Sequence, residues 1–272
     1  IANNIESLIK VDGKKDLRKD IQLLITSHST HITTKIDFEN TVVLYRDGDK
    51  IESHYVLDGF SEKALGKKQI KYLNKYLDAV NANIFYSRKI ILVEGISEKL
   101  LVPIFFERNM GHSTEKSSCC VINVNGLAFS YFLEIIKNGF FQKCLVLTDR
   151  DTDTKTKERA DNLAAKYDDV DQIQVSITAD STFEKDLINA NAKGKGRDIL
   201  LAVLKDVRPN AGKSYISALG ENPIDTAGFF ALIEDYKSEF AYSLMLNLAD
   251  SDPLTDGFVI PDYITKGLNF FS

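Results

Sequence analysis

Lys89-Ile-Ile-Leu-Val-Glu-Gly-Ile-Ser-Glu-Lys99 decides the fold of this chain. Ile90 to Val93 form a continuous apolar run, the pattern of a strand buried in a parallel sheet. Glu94 stands where that strand should end, and Gly95 lets the backbone turn. Ser97 and Glu98 then precede an apolar helical run from Leu100 to Phe106. A strand that delivers a carboxylate to its C-terminal edge is a common start for a site in an α/β fold. The partner stretch is Asp149-Arg-Asp151, which follows the apolar run Cys144-Leu-Val-Leu-Thr148.

Around these two stretches strand and helix alternate. Strand 90–94 leads to helix 97–109, and strand 119–124 leads through Asn125-Gly126 to helix 128–137. Strand 143–148 ends at Asp149, and a charged helix over about 155–167 precedes strand 172–177. That order predicts an α/β fold, a parallel sheet flanked by helices on both faces. After Phe183 the pattern is mostly helical, with helices near 196–206, 226–234 and 237–249 and a last one opened by Pro261. Gly194-Lys-Gly-Arg197 reads as a loop, a solvated connection with phosphate binding as the alternative. Upstream, residues 1–19 have helical spacing and Ile21-Gln-Leu-Leu-Ile25 reads as a short buried strand. Ser29 or Thr30 is placed to cap a short helix. Thr41 to Tyr45 and Lys50 to Val56 read as two strands joined at Arg46-Asp-Gly-Asp49, a hairpin signal. Residues 61–85 read as one or two amphipathic helices linking two unequal parts.

A length of 272 residues suits one large or two smaller domains. No apolar run approaches the roughly 18 residues of a membrane span, and no secretory signal opens the chain. It begins at Ile1 rather than Met, a hint that it is a piece of something longer. The three cysteines, Cys119, Cys120 and Cys144, lack metal-ligand spacing, and their odd number argues against a disulfide framework. The expectation is a reduced, cytoplasmic protein. A net charge of −5 is not that of a general nucleic-acid binder. It leaves nucleic acid open, because a metal site needs clustered acids whose charge the cations offset.

Asp149 and Asp151, two apart where the chain leaves the pleat, can both face one divalent cation. Hard oxygen donors at that density suit Mg²⁺, Mn²⁺ or Ca²⁺. The plainer reading is an Asp-rich turn that caps the next helix. An EF-hand is excluded, since its sixth and twelfth positions would be Thr154 and Ala160. A haloacid-dehalogenase-like phosphatase also places Asp-x-Asp after an apolar strand. It usually does so on the first strand and with Thr or Val where this chain has Asp153, so it stands as an alternative. Four scattered histidines make no zinc site.

Glu-Gly and Asp-x-Asp at two strand ends, with a strand and a Gly turn between them, resemble the Toprim domain of topoisomerases, primases and certain nucleases. Glu98, Ser181-Thr-Phe-Glu184 and Lys237-Ser-Glu-Phe-Ala241 sharpen the likeness to the Toprim nuclease of the OLD (overcoming lysogenization defect) family, over residues 88 to about 270. The resemblance implies a DNA endonuclease that uses two Mg²⁺ or Mn²⁺ ions. It implies Glu94, Glu98, Asp149, Asp151 and Glu184 as metal ligands, with Glu94 also helping to activate water. Lys237 would offset charge on the scissile phosphate, and the biological setting would be phage defence. A topoisomerase is disfavoured, because no strand-passage region with a nucleophilic Tyr is recognisable. A non-catalytic Toprim-like module that binds DNA or a partner remains the second alternative.

Leu23-Leu-Ile-Thr-Ser-His28 resembles the switch-histidine loop of ABC-type ATPases, in which His28 would sense the nucleotide γ-phosphate. A P-loop is missing: Gly212-Lys213-Ser214 has Val207 where the first Gly must stand. The chain alone is therefore expected not to hydrolyse ATP, which only the full-length protein would use. The expected organisation is 1–58 as the end of an ABC-type ATPase domain, 59–87 as a helical linker, and 88–272 as the Toprim domain with a helical insertion near 190–236. Expected partners are DNA, the rest of the ATPase or a second subunit, and no membrane. OLD proteins tend to dimerise through the ATPase part, which leaves a homodimer open here.

Overall fold

The computed structural model describes residues 22, 24–35, 40–56, 81–124, 129–137, 142–151, 158–253 and 255–272. The chain divides between Tyr86 and Ser87 into two units. In the first unit, strands β1 (Val42–Asp47) and β2 (Lys50–Tyr55) pair antiparallel, with Val42 opposite Tyr55 and Asp47 opposite Lys50. Gly48 turns the hairpin at φ +57, a left-handed conformation that costs glycine no Cβ clash. This is the hairpin that Arg46-Asp-Gly-Asp49 predicts. The strand expected over Ile21–Ile25 is not formed in its described residues. Leu24 is 85% exposed and Ile25 41%. A strand needs neighbours on its hydrogen-bonding edges, and among the described residues this unit's sheet holds β1 and β2 alone. Ser29 precedes a single helical turn, Thr30–Thr33, without a side-chain cap bond. The helix expected over 1–19, and that over 61–85 up to residue 80, lie outside the described residues. Asn81–Tyr86 form a 3-10 turn.

The second unit is built on four parallel strands, β3 (Lys89–Val93), β4 (Cys119–Asn123), β5 (Lys143–Thr148) and β6 (Ile173–Ile177), in the order β4-β3-β5-β6. Ile90 to Val93 and Cys144 to Leu147 are buried throughout, as strands covered on both faces must be. The helices are α1 (Ile96–Met110), α2 (Phe129–Lys137), α3 (Arg159–Tyr167), α4 (Phe183–Ala190), α5 (Gly194–Val207), α6 (Pro209–Leu219), α7 (Thr226–Ile233), α8 (Lys237–Ala249) and α9 (Asp262–Leu268). Ile91, Val93, Leu145 and Leu147 join one core with Phe105, Leu187, Leu204, Phe240 and Ile264. Alternate residues point to the opposite face, where Ile90, Leu92 and Val146 are buried, and α2, with Phe132 and Ile136 buried, packs against β5. Among the described residues no helix is long and apolar enough to cross a membrane.

One expectation is corrected here, and one helix is added. Gly194-Lys-Gly-Arg197 is not a loop but the first turn of α5. A Cβ on Gly196 would collide with the Asn191 carboxamide, so that glycine serves close packing at the helix start. Gly212-Lys213-Ser214 lies inside α6, a helix that the sequence pattern did not predict. A Cβ on Gly212 would stand 2.9 Å from the Leu204 carbonyl, so its glycine lets α6 approach α5.

The strand order fixes where a site can form. The chain leaves β3 for β4 on one side and returns to β5 on the other. A crevice therefore opens at the carboxyl ends of β3 and β5, the switch point of an open α/β sheet.

Candidate active site

Glu94 and Asp149 flank that switch point. Ile91 is level with Leu145 and Leu92 with Val146, so the register carries Glu94 level with Thr148. The Thr148 hydroxyl donates to Glu94 Oε1. The Asp149 amide donates to the same oxygen at 3.2 Å. A third donor is Arg159 Nη2, the first residue of α3, at 2.7 Å. The same nitrogen lies 3.3 Å from Asp151 Oδ2. Asp151 adopts φ +51, a region that Asp enters more readily than most residues.

The loop after β5 is tied to the segment between β6 and α4. Asp149 Oδ1 accepts from the Phe183 amide at 2.8 Å. The Asp151 amide donates to the Ser181 carbonyl at 3.0 Å, and the Arg150 amide to Thr178 Oγ1 at 2.9 Å. Thr182 caps α4 through its side chain, accepting from the Lys185 amide. Glu184 thus falls in the first helical turn, where the helix dipole favours a carboxylate.

Helices supply the other half of the edge. Glu184 Oε1 accepts from Ser97 Oγ at 3.1 Å, and Glu184 Oε2 pairs with Lys237 Nζ at 3.2 Å. Lys237 opens α8 and lies over the Phe230 ring at 5.1 Å, and Lys185 lies over the same ring at 5.2 Å. Glu98, in the first turn of α1, is buried. Its carboxylate folds back over Gly95, where a Cβ would stand 2.9 Å from Oε2. Gly95 itself is extended, at φ −135 and ψ 177, a conformation open to any residue. The expectation that Gly95 serves the turn is therefore corrected: what the missing Cβ leaves there is room for the Glu98 carboxylate.

The electrostatics bind the two halves together. Burial, with help from Glu184 and Glu94, raises the Glu98 carboxyl to about 7 against the pull of its backbone hydrogen bond and Lys237. Burial, then Glu98, Glu94 and Glu184, raises Asp149 to about 8 despite the bond from Phe183. Two carboxyls raised toward neutrality by their own neighbours mark a place short of positive charge. Tyr263 of α9 borders the same acids. Burial first, then Glu98, Asp149, Asp186 and Glu184, holds its phenol well above the ordinary range.

The structure thus links Glu94, Glu98, Asp149, Asp151, Glu184 and Lys237 at one sheet edge. Hydrogen bonds and ion pairs join Glu94 to Asp149 and, through Arg159, to Asp151, and Glu184 to Lys237, while Glu98 acts on the others through its charge. Among the described residues no three Asp, Glu, His or Cys side chains close on a single point as a ready-made ion cage. The donor set nonetheless fits a hard divalent cation: carboxylate oxygens only, crowded enough to need a countercharge. Asn125-Gly126 and Asp153 lie outside the described residues. His28 belongs to the first unit and is exposed in irregular chain. Arg159, Thr148, Ser97 and Tyr263 are the site residues that the sequence reading missed. Ser97 and Thr148 adjoin Glu98 and Asp149 in sequence, but an uncharged hydroxyl carries no signal of its own. Nothing in the local spacing marks Arg159 or Tyr263.

Residues 85–151 match the family model described as overcoming lysogenization defect protein-like, TOPRIM domain. The whole chain aligns at 25% identity with Endonuclease GajA of Bacillus cereus (strain HuB5-5), covering 46% of that protein. The chain thus spans about half the length of the curated relative that it matches. The C-terminal region of the Burkholderia pseudomallei OLD protein superposes with a TM-score of 0.50 at 21% identity. That superposition covers 68% of this chain and 97% of the solved one. The second unit has the fold of an OLD C-terminal region. The expected α/β Toprim-type sheet with flanking helices is the fold observed.

Proposed function

We propose that this chain carries the catalytic part of a metal-dependent DNA endonuclease. The observation that carries the reading is the acidic edge itself. Glu94 and Asp149 stand at the switch point, Glu98 and Glu184 face them from helices, and Lys237 pairs with Glu184. The relationship to a protein named an endonuclease supports it.

In this reading Glu94, Glu98, Asp149, Asp151 and Glu184 would hold Mg²⁺ or Mn²⁺. Two bound cations would supply a water nucleophile at neutral pH and stabilise the leaving oxygen of the phosphodiester. The chain's own residues do the positioning. Thr148 and the Asp149 amide fix the Glu94 carboxylate, and the Phe183 amide fixes Asp149. Ser97 and Lys237 hold Glu184 from two sides. Lys237, braced on Phe230, brings a positive charge to the edge where a phosphate must lie. Residues 1–58 are read as the end of an ABC-type ATPase domain with His28 as its switch histidine, and 59–87 as a linker. ATP is then a ligand of a longer protein, and a second subunit or the rest of that domain a partner.

The experiment is nicking of supercoiled plasmid with Mg²⁺ or Mn²⁺ by the full chain, beside Glu94→Ala and Asp151→Ala. The expected result is nicking by the parent chain and a fall of at least about a hundredfold in each variant. Full activity in either variant removes the proposal.

A further inference from the structure

The acidic edge already contains a cation of its own. We propose that Arg159 is an exchange cation: its guanidinium bridges Glu94 and Asp151 until a divalent metal ion displaces it. The inference rests on the metal-dependent reading above and assigns a positioning role to a residue that neither the motifs nor the comparisons single out.

Three observations carry it. A single nitrogen, Arg159 Nη2, reaches Glu94 Oε1 at 2.7 Å and Asp151 Oδ2 at 3.3 Å. These two acids come from different strand ends, so the guanidinium closes a gap across the switch point. Next, the three donors to Glu94 Oε1 differ in kind. The Thr148 hydroxyl and the Asp149 amide are fixed by β5 and the backbone that leaves it. Arg159 arrives on a long, partly exposed side chain. A carboxylate oxygen has two lone-pair sites. Three donors already crowd that oxygen, and Arg159 is the one that an incoming metal ion can displace without moving a strand. Finally, like charges repel most where water is excluded. A guanidinium kept on the Glu94 carboxylate would oppose any dication sharing that carboxylate.

The arrangement explains how the metal-free protein tolerates its own acids. The charge that metal ions would neutralise is met on the strand half by Arg159 and on the helix half by Lys237. Metal arrival then trades an internal ion pair for coordination, so Arg159 competes with the metal for Glu94 and Asp151. Removing the guanidinium should tighten metal binding while loosening the metal-free fold. A residue that merely props the ligands in place would do the opposite to metal affinity.

The test is calorimetric titration of Mn²⁺ into the full chain at low salt, in the parent, Arg159→Gln, Arg159→Lys and Glu94→Ala. Melting curves in chelator and in excess Mn²⁺ run alongside. The expected result is Mn²⁺ binding about tenfold tighter in Arg159→Gln. Arg159→Lys should fall between Gln and the parent, because a point charge without the planar fork bridges two acids less well. In chelator Arg159→Gln should melt lower than the parent, with a larger gain on adding Mn²⁺. Equal or weaker Mn²⁺ binding in a folded Arg159→Gln overturns the inference. Should that variant not fold in chelator, Arg159→Lys decides: binding no tighter than the parent overturns it. If the parent and Glu94→Ala titrate alike, the metal-dependent reading fails and this inference with it. If the parent binds Mn²⁺ through Glu94 but the Arg159 variants bind no tighter, only the exchange role falls.

Discussion

The two halves of the acidic edge are held by different means. On the strand half, Glu94 and Asp149 take their positions from β3 and β5, and backbone amides complete their hydrogen bonds. On the helix half, Glu98 and Glu184 sit in the first turns of α1 and α4: the Ser97 and Lys237 side chains hold Glu184, and Glu98 has its own backbone hydrogen bond and the space left by Gly95. A strand end places a carboxylate through the rigid ladder behind it. A helix turn leaves the carboxylate to be fixed by what packs against it. The strand half should therefore survive single substitutions of its supports, and the helix half should not.

Lys237 gives the largest break. Lys237→Ala removes the cation 3.2 Å from Glu184 and the charge presented to a phosphate. Loss of one preorganised electrostatic group of this kind costs about a hundredfold in rate. Plasmid nicking should fall by about that factor, and Lys237→Arg should recover part of it. Wild-type nicking by the alanine variant would show that Lys237 is only a solvated helix residue.

Gly95→Ala gives a smaller break. Its Cβ would stand 2.9 Å from Glu98 Oε2, so the Glu98 carboxylate must move. The backbone need not, because φ −135 suits alanine. The expected outcome is an unchanged circular-dichroism spectrum with nicking lowered about tenfold, the scale seen when a supporting group of a metal site is disturbed. A larger loss accompanied by unfolding would mean that the backbone, not the carboxylate, depends on this glycine.

The same contrast explains what the sequence could reveal. Glu94, Asp149 and Asp151 were legible because an apolar run that ends in an acid has one consequence in a parallel sheet. The acid goes to the carboxyl edge. Glu184 and Lys237 were read from a family resemblance, since many helices open with a charged residue. Arg159 reaches Glu94 across 65 positions of chain, and no local pattern encodes such a pairing. Gly95 was singled out for the wrong reason, because a glycine needed for space and one needed for φ are the same letter. The helix α6 carries a proline and a glycine, residues that lower helix propensity. Pro209 in fact sits at a first helical turn and Gly212 at a close helix contact. Ile21–Ile25 has the composition of a strand, but composition does not supply a neighbour to pair with.

The finest test of the comparison is the pH dependence of stability in chelator. Each half contains one raised carboxyl, Glu98 at about 7 from an ordinary 4.5 and Asp149 at about 8 from 3.8. Both folded values lie above the unfolded ones, so between roughly pH 4 and 8 the native state binds more protons than the unfolded state. Stability from these groups therefore falls as pH rises, by at most about 1.4 kcal/mol per pH unit for each. Denaturant midpoints in EDTA should drop from pH 5.5 to pH 8.5, and saturating Mn²⁺ should remove much of the drop. Because Glu98 is among the groups that raise Asp149, Glu98→Gln should flatten the curve by more than its own share, leaving the remaining fall to Asp149. A slope unchanged by Glu98→Gln would mean that the helix half does not press on the strand half, and the edge would then be two separate sites rather than one.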